Sequence, residues 1–322
     1  MLYLTKSDMQ KVLSMRDAFE ALREAFMLYS SGKTTVPLRS IVNVPRHNGQ
    51  ALFMPALAGD ALGIKIVSTY PDNPKAGKPV TPACMVVMDA QSGEVSCLMD
   101  GTYLTQLRTA AGAGLATELL AAPGARVGAL IGLGGQAPCQ FDALLEGAPT
   151  LEEVRVFDVD ESRRAAFAAE RDGKGGVRVI PVGSGDEAVR GAQVVTTVTT
   201  ARSPVFSADS VAKGCHVNAI GSYTPEMQEL PPALVVSCDL LVLDTADGVL
   251  HESGDILKPL EDGLLESKKI DTEIGHILLG TPGRQRAADV TLYKSTGSGV
   301  MDVVTAAAIY RRAQQAGIGV HL

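Results

Sequence analysis

The spacing of hydrophobic positions changes along the chain, and the change divides it into two parts. Between residues 39 and 99, short apolar runs are separated by turn residues, which predicts mostly antiparallel strands with a hairpin over 85–88 and 95–99. From residue 126, strand-type runs alternate with helical patterns, which predicts a parallel sheet. Its predicted strands are 127–131, 154–158, 178–182, 193–199, 215–221 and 240–245, with a further strand at 290–295.

Three other segments carry the spacing of helices. The first covers 7–31, the second is a helix of small residues over 105–121, and the third closes the chain over 299–315. We expect the second helix to be the hinge between two domains and the last one to return to the first domain. The predicted domains are therefore residues 1–121 with 300–322, and residues 122–299.

A glycine motif follows the first strand of the parallel part. Residues 132–137 read G-L-G-G-Q-A and fit G-x-G-x-x-A, after the strand 127–131 and before a helix. Gly132 suits a tight turn, and Gly134 lets backbone N–H groups approach a pyrophosphate at the positive end of the helix. Asp158 ends the second strand, where an acid accepts hydrogen bonds from a ribose. This context predicts a dinucleotide-binding Rossmann fold, while an ordinary turn that needs small residues is the alternative.

The acids around position 158 favour NAD over NADP. Asp158 would repel a 2′-phosphate, and Asp160 adds to that repulsion. Arg163 and Arg164 follow closely and act in the opposite direction. We therefore predict NAD as the cofactor. The overall fold class is α/β, a Rossmann doubly wound parallel sheet plus an α+β domain with mostly antiparallel strands.

Composition excludes several classes of partner. The 322 residues carry a net charge of −7 without a basic stripe, which argues against nucleic acid and anionic membranes. No apolar stretch approaches the ~20 residues of a membrane span. The charged N-terminal segment is unlike a signal peptide. Five cysteines without C-x-x-C spacing indicate buried thiols in a cytoplasmic protein. The five histidines are dispersed, and we predict no metal site.

Three cations of the first domain stand in apolar surroundings. Arg39 begins a predicted strand, Lys65 interrupts one, and Arg108 lies among small and apolar neighbours. A buried charge without a partner costs several kcal/mol, on the order of 3–5. The partner is either the carboxylate of a substrate or an acid within the protein. The residues alone leave both interpretations open.

Separate motifs then resemble one family over nearly the whole chain. They are Gly63-Ile64-Lys65, Met88-Asp89 with Gly93, Met99-Asp100-Gly101, the run from Leu104 to Ala111, Gly132-x-Gly134-x-Gln136-Ala137, Asn218-Ala219-Ile220-Gly221, Glu229-Leu230, Ser253-Gly254-Asp255 and Lys294-Ser295-x-Gly297. Together they resemble the ornithine cyclodeaminase/mu-crystallin family, which also contains archaeal-type alanine dehydrogenases and ketimine reductases. Pro71-Asp72-Asn73-Pro74 and Thr102-Tyr103 are most similar to the alanine dehydrogenase branch.

The resemblance implies a homodimer built through the first domain, which would bind substrate, with NAD(P) in the second. Arg39, Lys65 and Arg108 would clamp a substrate carboxylate beneath the nicotinamide. Lys65 and Arg108 would be the catalytic residues. Lys65 is the candidate for proton transfer because neighbouring cations lower the pKa of an ammonium group.

The resemblance also assigns the cofactor contacts. Thr199 would lie near the nicotinamide ribose, Ser295 near the nicotinamide, and Asp158 at the adenosine ribose. The glycine turn would face the pyrophosphate through Gly132, Gly134, Gly135, Gln136 and Ala137.

Two positions depart from the family pattern. Tyr223 stands where cyclodeaminases have the aspartate that handles the substrate amine. Val80 replaces the threonine of a family Leu-Pro-Thr motif, and Thr81 compensates only if the backbone shifts by one residue. All three residues are assigned to substrate binding.

Hydride transfer to or from a small 2-amino or imino acid needs no aspartate at position 223. We therefore predict an alanine dehydrogenase-like or cyclic ketimine reductase activity. An ornithine cyclodeaminase is the alternative, and a non-enzymic NAD(P)-binding protein of crystallin type is a further one.

Overall fold

The computed structural model describes residues 1–322, which form eleven α-helices and fifteen β-strands. The helices are α1 Lys6–Val12, α2 Met15–Ser30, α3 Gly101–Leu120, α4 Ala137–Gly147, α5 Glu161–Arg171, α6 Gly185–Val189, α7 Pro232–Ser237, α8 Ala246–Glu252, α9 Gly254–Glu261, α10 Ile274–Leu278 and α11 Gly299–Ala316. The strands are β1 Leu2–Leu4, β2 Thr34–Thr35, β3 Ser40–Val44, β4 Gly49–Ala58, β5 Ala61–Thr69, β6 Ala83–Met88, β7 Val95–Asp100, β8 Val127–Ile131, β9 Glu153–Phe157, β10 Arg178–Pro181, β11 Val194–Thr197, β12 His216–Ala219, β13 Leu240–Leu243, β14 Thr291–Lys294 and β15 Val320–His321.

The chain divides into two units within α3. The first unit contains Met1–Thr109 and Ser298–Leu322, and the second contains Ala110–Gly297. The sequence places this boundary after the helix, at 121/122. The second half of α3 belongs to the second unit because Thr117 accepts a hydrogen bond from the Asn218 side-chain amide at 2.8 Å.

The first unit is built on an eight-stranded mixed sheet with the order β15-β1-β7-β6-β5-β4-β2, in which β3 pairs with β4. All neighbouring strands are antiparallel except β1 and β7. The predicted hairpin is confirmed, with Met85 of β6 opposite Met99 of β7. Helix α11 packs against β4 and β5, so the end of the chain completes the fold of its beginning.

The prediction of a single helix over 7–31 is wrong, because the structure has two helices, α1 and α2, separated by residues 13 and 14. Helix α1 ends at Val12, and Ser14 caps α2. The Ser14 hydroxyl accepts the Asp17 N–H at 3.1 Å, and the Asp17 carboxylate accepts the Ser14 N–H at 3.1 Å. This reciprocal capping box starts a new helix because it satisfies N–H groups that would otherwise lack partners. The helical spacing of apolar residues continues across the break and conceals it.

The second unit is a seven-stranded sheet with the order β10-β9-β8-β11-β12-β14-β13, and every pairing is parallel. All seven predicted strands are present, and the predicted doubly wound sheet is confirmed. The strand order reverses between β8 and β11, since β9 and β10 lie on one side of β8 and the later strands on the other. Ligands of such sheets bind at the carboxyl ends of the strands near this reversal.

The structure tests two predictions from composition, the absence of a membrane span and the burial of the cysteines. No helix has both the length and the apolar character needed to cross a membrane. Cys97, Cys215 and Cys238 are buried thiols, whereas Cys84 is exposed on β6, so the prediction of buried thiols is wrong for Cys84.

Candidate functional site

The glycine turn after β8 has the geometry that a bound phosphate requires. Gly132 has a φ of 96°, in the left-handed region, and its N–H donates to the Phe157 carbonyl at 2.8 Å. A Cβ at Gly132 would lie 2.7 Å from the Val198 oxygen, so only glycine fits there. Gly134 is exposed, and a Cβ built on it would meet no atom within 4 Å. The backbone around Gly134 is therefore open to a ligand.

Helix α4 begins directly after this turn. Ala137 is its first residue, and Pro138 lies in the first turn, where a missing N–H costs little. The eleven residues of α4 direct the partial positive charge of the helix N-terminus towards the open backbone. The turn thus combines free space, backbone donors and positive potential, and these features fit a pyrophosphate.

Asp158 follows β9 and holds the glycine turn in place. One of its carboxylate oxygens accepts the Leu133 N–H at 2.8 Å, and the other accepts the Asp160 N–H at 3.0 Å. The Arg163 guanidinium lies 3.4 Å from the first of these oxygens. The sequence assigned Asp158 to a ribose and did not reveal this contact with the turn. A carboxylate oxygen accepts more than one hydrogen bond, so the two roles are compatible.

The other predicted cofactor residues of the second unit lie at the carboxyl ends of neighbouring strands. Thr199 follows β11 and is adjacent to the glycine turn, because a Cβ on Gly132 would lie 2.7 Å from the Thr199 methyl group. Ser295 follows β14, and its hydroxyl donates to Asp244 at 2.7 Å. Thr199 and the glycine turn therefore share one edge of the sheet with Ser295.

Asp244 is a buried residue of this edge that the sequence analysis missed. It follows β13, and the carboxylate oxygen that accepts from Ser295 also accepts the Gly297 N–H at 2.8 Å. Its other oxygen accepts the Thr245 N–H. A signal was present, since an aspartate directly follows the apolar run 240–243. Asp244 fixes the loop that carries Ser295.

In the first unit, two of the predicted cations share one carboxylate. Lys65 lies on β5 between Met54 and Met85 of the adjacent strands, and it is 1% exposed. Its ammonium nitrogen is 2.7 Å from one oxygen of Asp302 and 2.8 Å from the other. The Nε atom of Arg108, on α3, is 2.9 Å from Asp302 Oδ1. The three side chains form a buried charged cluster.

The electrostatics of this cluster are set mainly by burial. The pKa of Lys65 is lowered to about 7, first by desolvation on burial and next by the charge of Arg108. The Asp302 carboxylate opposes both effects, and Arg39 adds a smaller lowering. Arg39 immediately precedes β3 and is partly exposed. Lys65 and Arg108 thus share one carboxylate, so the cluster favours a second anion.

Of the two interpretations of the cations left open by the sequence, the structure shows the acid within the protein. Asp302 is an acid within the protein that pairs with Lys65 and Arg108, and the positive charge still exceeds the negative. Asp302 was missed, although it interrupts the apolar face of α11 formed by Val300 and Val303. Its place in the first helical turn is favourable for a negative charge.

The residues predicted to shape the substrate pocket lie in separate parts of the chain. Val80 and Thr81 precede β6 in the first unit. The Val80 carbonyl accepts the Tyr70 N–H at 2.8 Å, and the Thr81 carbonyl accepts the Thr102 hydroxyl at 3.4 Å. Tyr223 is half-buried in the loop after β12, in the second unit. Their role in substrate binding stays a prediction.

Comparison with known proteins shows the family of the chain. The model of the ornithine cyclodeaminase/mu-crystallin family matches residues 1–317. A Δ1-pyrroline-2-carboxylate reductase of Bacillus cereus is 33% identical over 322 residues, which cover 99% of this chain and 98% of that protein.

Two solved structures are similar over the full chain. One is the Δ1-pyrroline-2-carboxylate reductase of Thermococcus litoralis in complex with NADH and L-proline, with a TM-score of 0.96, 36% identity and complete coverage of both chains. The other is an archaeal alanine dehydrogenase dimer with bound NAD, with a TM-score of 0.93 and 31% identity, covering 100% of this chain and 98% of that one.

Proposed function

Because the chain belongs to the ornithine cyclodeaminase/mu-crystallin family, we propose that it is an NAD-dependent oxidoreductase that reduces the carbon–nitrogen double bond of a small cyclic imino acid. Δ1-Pyrroline-2-carboxylate, which would become proline, is the model substrate. The observation that carries the proposal is the buried cluster in the first unit, where Lys65 and Arg108 share the carboxylate of Asp302. Relatives that act on this imino acid support the choice of substrate.

Charge defines the part of the substrate that the first unit binds. The excess positive charge favours a carboxylate, and the guanidinium groups of Arg108 and Arg39 are suited to hold it in a fixed orientation. A site shielded from water strengthens this attraction. The cations therefore determine where the α-carbon next to the carboxylate is placed.

Lys65 is suited to deliver the proton of the reaction. With a pKa of about 7, its ammonium group exchanges a proton readily near neutral pH. Transfer of that proton from the nitrogen of Lys65 to the imine nitrogen leaves a neutral lysine, which water reprotonates after turnover. Asp302 contacts the ammonium through both oxygens and keeps it oriented.

The second unit would hold the dinucleotide through the glycine turn and α4, with Asp158 at the adenosine ribose. The chemistry that bound NADH supplies is a hydride, which reduces the α-carbon of the imine. Thr199 and Ser295 are assigned to the nicotinamide half because they end strands on the opposite side of β8 from Asp158. The acids at 158 and 160 favour NADH over NADPH.

A second candidate is an alanine dehydrogenase, since an archaeal enzyme of that name has 31% identity over the whole chain. It would use the same cations and the same hydride transfer on an open-chain imine. An ornithine cyclodeaminase is disfavoured because Tyr223 replaces the aspartate expected to handle the substrate amine.

The deciding experiment follows the absorbance of NADH with a panel of substrates, and mass spectrometry identifies each product. Faster oxidation with cyclic imines than with pyruvate plus ammonia supports the proposal. The reverse order indicates an alanine dehydrogenase. Conversion of ornithine to proline without net consumption of NADH indicates a cyclodeaminase. NADH binding without turnover on any member of the panel indicates a binding protein.

We also propose that the chain forms a homodimer through the first unit. The face of the sheet opposite to Lys65 carries exposed apolar side chains, including Val42 at 54% and Ile66 at 38% exposure. Large exposed apolar patches mark interaction surfaces. Light scattering coupled to size-exclusion chromatography measures the mass directly, and a monomer at micromolar concentration would contradict this assignment.

A further inference from the structure

A completely buried glutamate joins two loops at the carboxyl edge of the parallel sheet. One oxygen of the Glu229 carboxylate accepts the Thr199 N–H at 2.6 Å, in the loop after β11. The other accepts the N–H groups of Gly221 at 2.6 Å and Ser222 at 3.2 Å, in the loop after β12. A single side chain thus satisfies three backbone donors from two separate loops.

Glu229 is itself held by a second buried acid. One oxygen of Asp255 accepts the N–H groups of Glu229 and Leu230 at 2.7 and 2.9 Å. The other oxygen of Asp255 lies 3.1 Å from the ammonium nitrogen of Lys294, which is also completely buried. Burial and the Asp255 charge raise the pKa of Glu229, while Lys294 and the N–H groups act against that rise. Burying two acids and one cation is costly unless hydrogen bonds satisfy the charges, and here backbone N–H groups bind both carboxylates.

The two loops are packed too closely to move independently. A Cβ on Gly221 would lie 2.0 Å from the Thr199 carbonyl oxygen and 2.6 Å from Glu229 Oε1. On its other side, Thr199 contacts the glycine turn at Gly132. Three consecutive loops, after β8, β11 and β12, therefore meet around Thr199, and Glu229 is the side chain that ties the last two.

We infer that Glu229 is a positioning residue that holds the loops after β11 and β12 in the arrangement that binds the nicotinamide half of the dinucleotide, before the dinucleotide arrives. This inference rests on the proposed function, because it takes NADH as the ligand of the second unit. Asp158 ends β9, on one side of β8, and would contact the adenosine half. The loops that Glu229 ties lie on the other side of β8. Glu229 should consequently affect one half of the ligand and leave the other half unaffected.

The test compares two ligands, NADH and ADP-ribose, which lacks the nicotinamide. Glutamine in Glu229→Gln retains the size of the side chain but offers one acceptor oxygen in place of two. We expect the affinity for NADH to fall about 10- to 100-fold, the effect of losing one or two charge-assisted hydrogen bonds. The affinity for ADP-ribose, measured by the same calorimetric titration, should stay within about twofold.

Glu226→Gln is the matched control, because Glu226 belongs to the same loop and is exposed. It should leave both affinities unchanged. Unchanged NADH affinity in Glu229→Gln, or an equal loss for NADH and ADP-ribose, would overturn the inference. Failure of the unaltered protein to bind ADP-ribose would instead overturn the proposed dinucleotide site.

A measurement on the unaltered protein decides the matter even if the variant does not fold. Hydrogen exchange at the backbone amides of Thr199, Gly221 and Ser222 should already be slow without cofactor, because each N–H is bound to Glu229. Added NADH should then slow these amides by less than about threefold. Free exchange that becomes slow only with NADH would show that the ligand, and not Glu229, orders the loops.

Discussion

The two units use buried charge in opposite ways. In the first unit, the two buried cations Lys65 and Arg108 share the carboxylate of Asp302, so the cluster has more positive groups than negative ones. In the second unit, the carboxylates of Glu229 and Asp244 are bound by backbone N–H groups of the surrounding loops. The excess positive charge of the first unit favours the binding of an anion. The carboxylates of the second unit instead hold backbone segments in place.

This difference suggests how each ligand is recognised. The small anion of the proposed function offers little surface, so the first unit would bind it through charge, which acts strongly where water is excluded. A dinucleotide is long and can contact many backbone groups, so the second unit must present those groups in the right places. Substitutions in the first unit should therefore change turnover, whereas those in the second should change which cofactor binds and how tightly.

The strongest test of this division is Lys65→Met. Methionine fills the volume of the lysine stem but cannot donate a proton or attract a carboxylate. We expect kcat to fall about 10³-fold, within the range of general acid catalysis. The Kd for NADH should change less than about twofold. The exposed Lys33 provides the control as Lys33→Met. If Lys65→Met weakened NADH binding as strongly as it lowered kcat, the two units would not have separate roles in turnover and cofactor binding.

Arg108→Ala removes the guanidinium that shares Asp302 with Lys65. A charge-assisted hydrogen bond contributes ~2–3 kcal/mol, so kcat/KM should fall about 10²-fold, mainly through KM. Steady-state kinetics with the cyclic imine measures the change, and fluorescence titration should find NADH binding unaltered. Arg311→Ala, at an exposed position of α11, should have no effect. If thermal unfolding and NADH binding of the Arg108 variant deteriorate together, Arg108 serves the fold.

The pH profile sharpens the role assigned to Lys65. Its pKa of about 7 means that the ammonium form is lost as the pH rises through neutrality. Imine reduction consumes that proton, so kcat/KM for reduction should fall about tenfold per pH unit above this pKa. Amine oxidation needs the neutral lysine, so kcat/KM for oxidation should fall below this pKa. The charged groups that act on Lys65 are Asp302, Arg108 and Arg39. If the pH profile of kcat/KM for Lys65→Met still has an inflection near neutral pH, that inflection belongs to another group.

The smallest effect is expected from Asp158→Asn in the second unit. Asparagine can still accept the Leu133 N–H through its oxygen, but it no longer repels a 2′-phosphate. The ratio of NADH to NADPH affinity should fall about tenfold, which corresponds to ~1.4 kcal/mol. The exposed Asp262, changed to Asn, is the control. An unchanged ratio would show that Asp158 does not discriminate between the cofactors and only holds the glycine turn.

Local patterns in the sequence predicted much of this molecule. The seven strands of the parallel sheet and the turn at Gly132 follow from short-range spacing, because strands, turns and helix starts depend on neighbouring residues. The break at Ser14 could also have been found, since Ser14 and Asp17 form a local capping box.

The partners of buried charges were not predictable in the same way. Asp302 is paired with Lys65 across 237 positions of the chain, and no local pattern reports such a contact. The Glu229 residue was noted only as part of a family motif, and its hydrogen bonds depend on loops after two different strands. The sequence predicts that Lys65 and Arg108 need partners, and only the folded chain identifies them.

The position of Asp302 in the chain has a consequence for protein synthesis. Lys65 and Arg108 leave the ribosome before the second unit, and Asp302 emerges after it, on α11. Until then the two cations have no internal counter-ion, and β4 and β5 lack the helix that packs on them. Domains fold as units while translation proceeds. The second unit should therefore be able to fold before the first unit is complete, and a released chain that ends at residue 297 should contain a folded second unit and a first unit that still lacks α11.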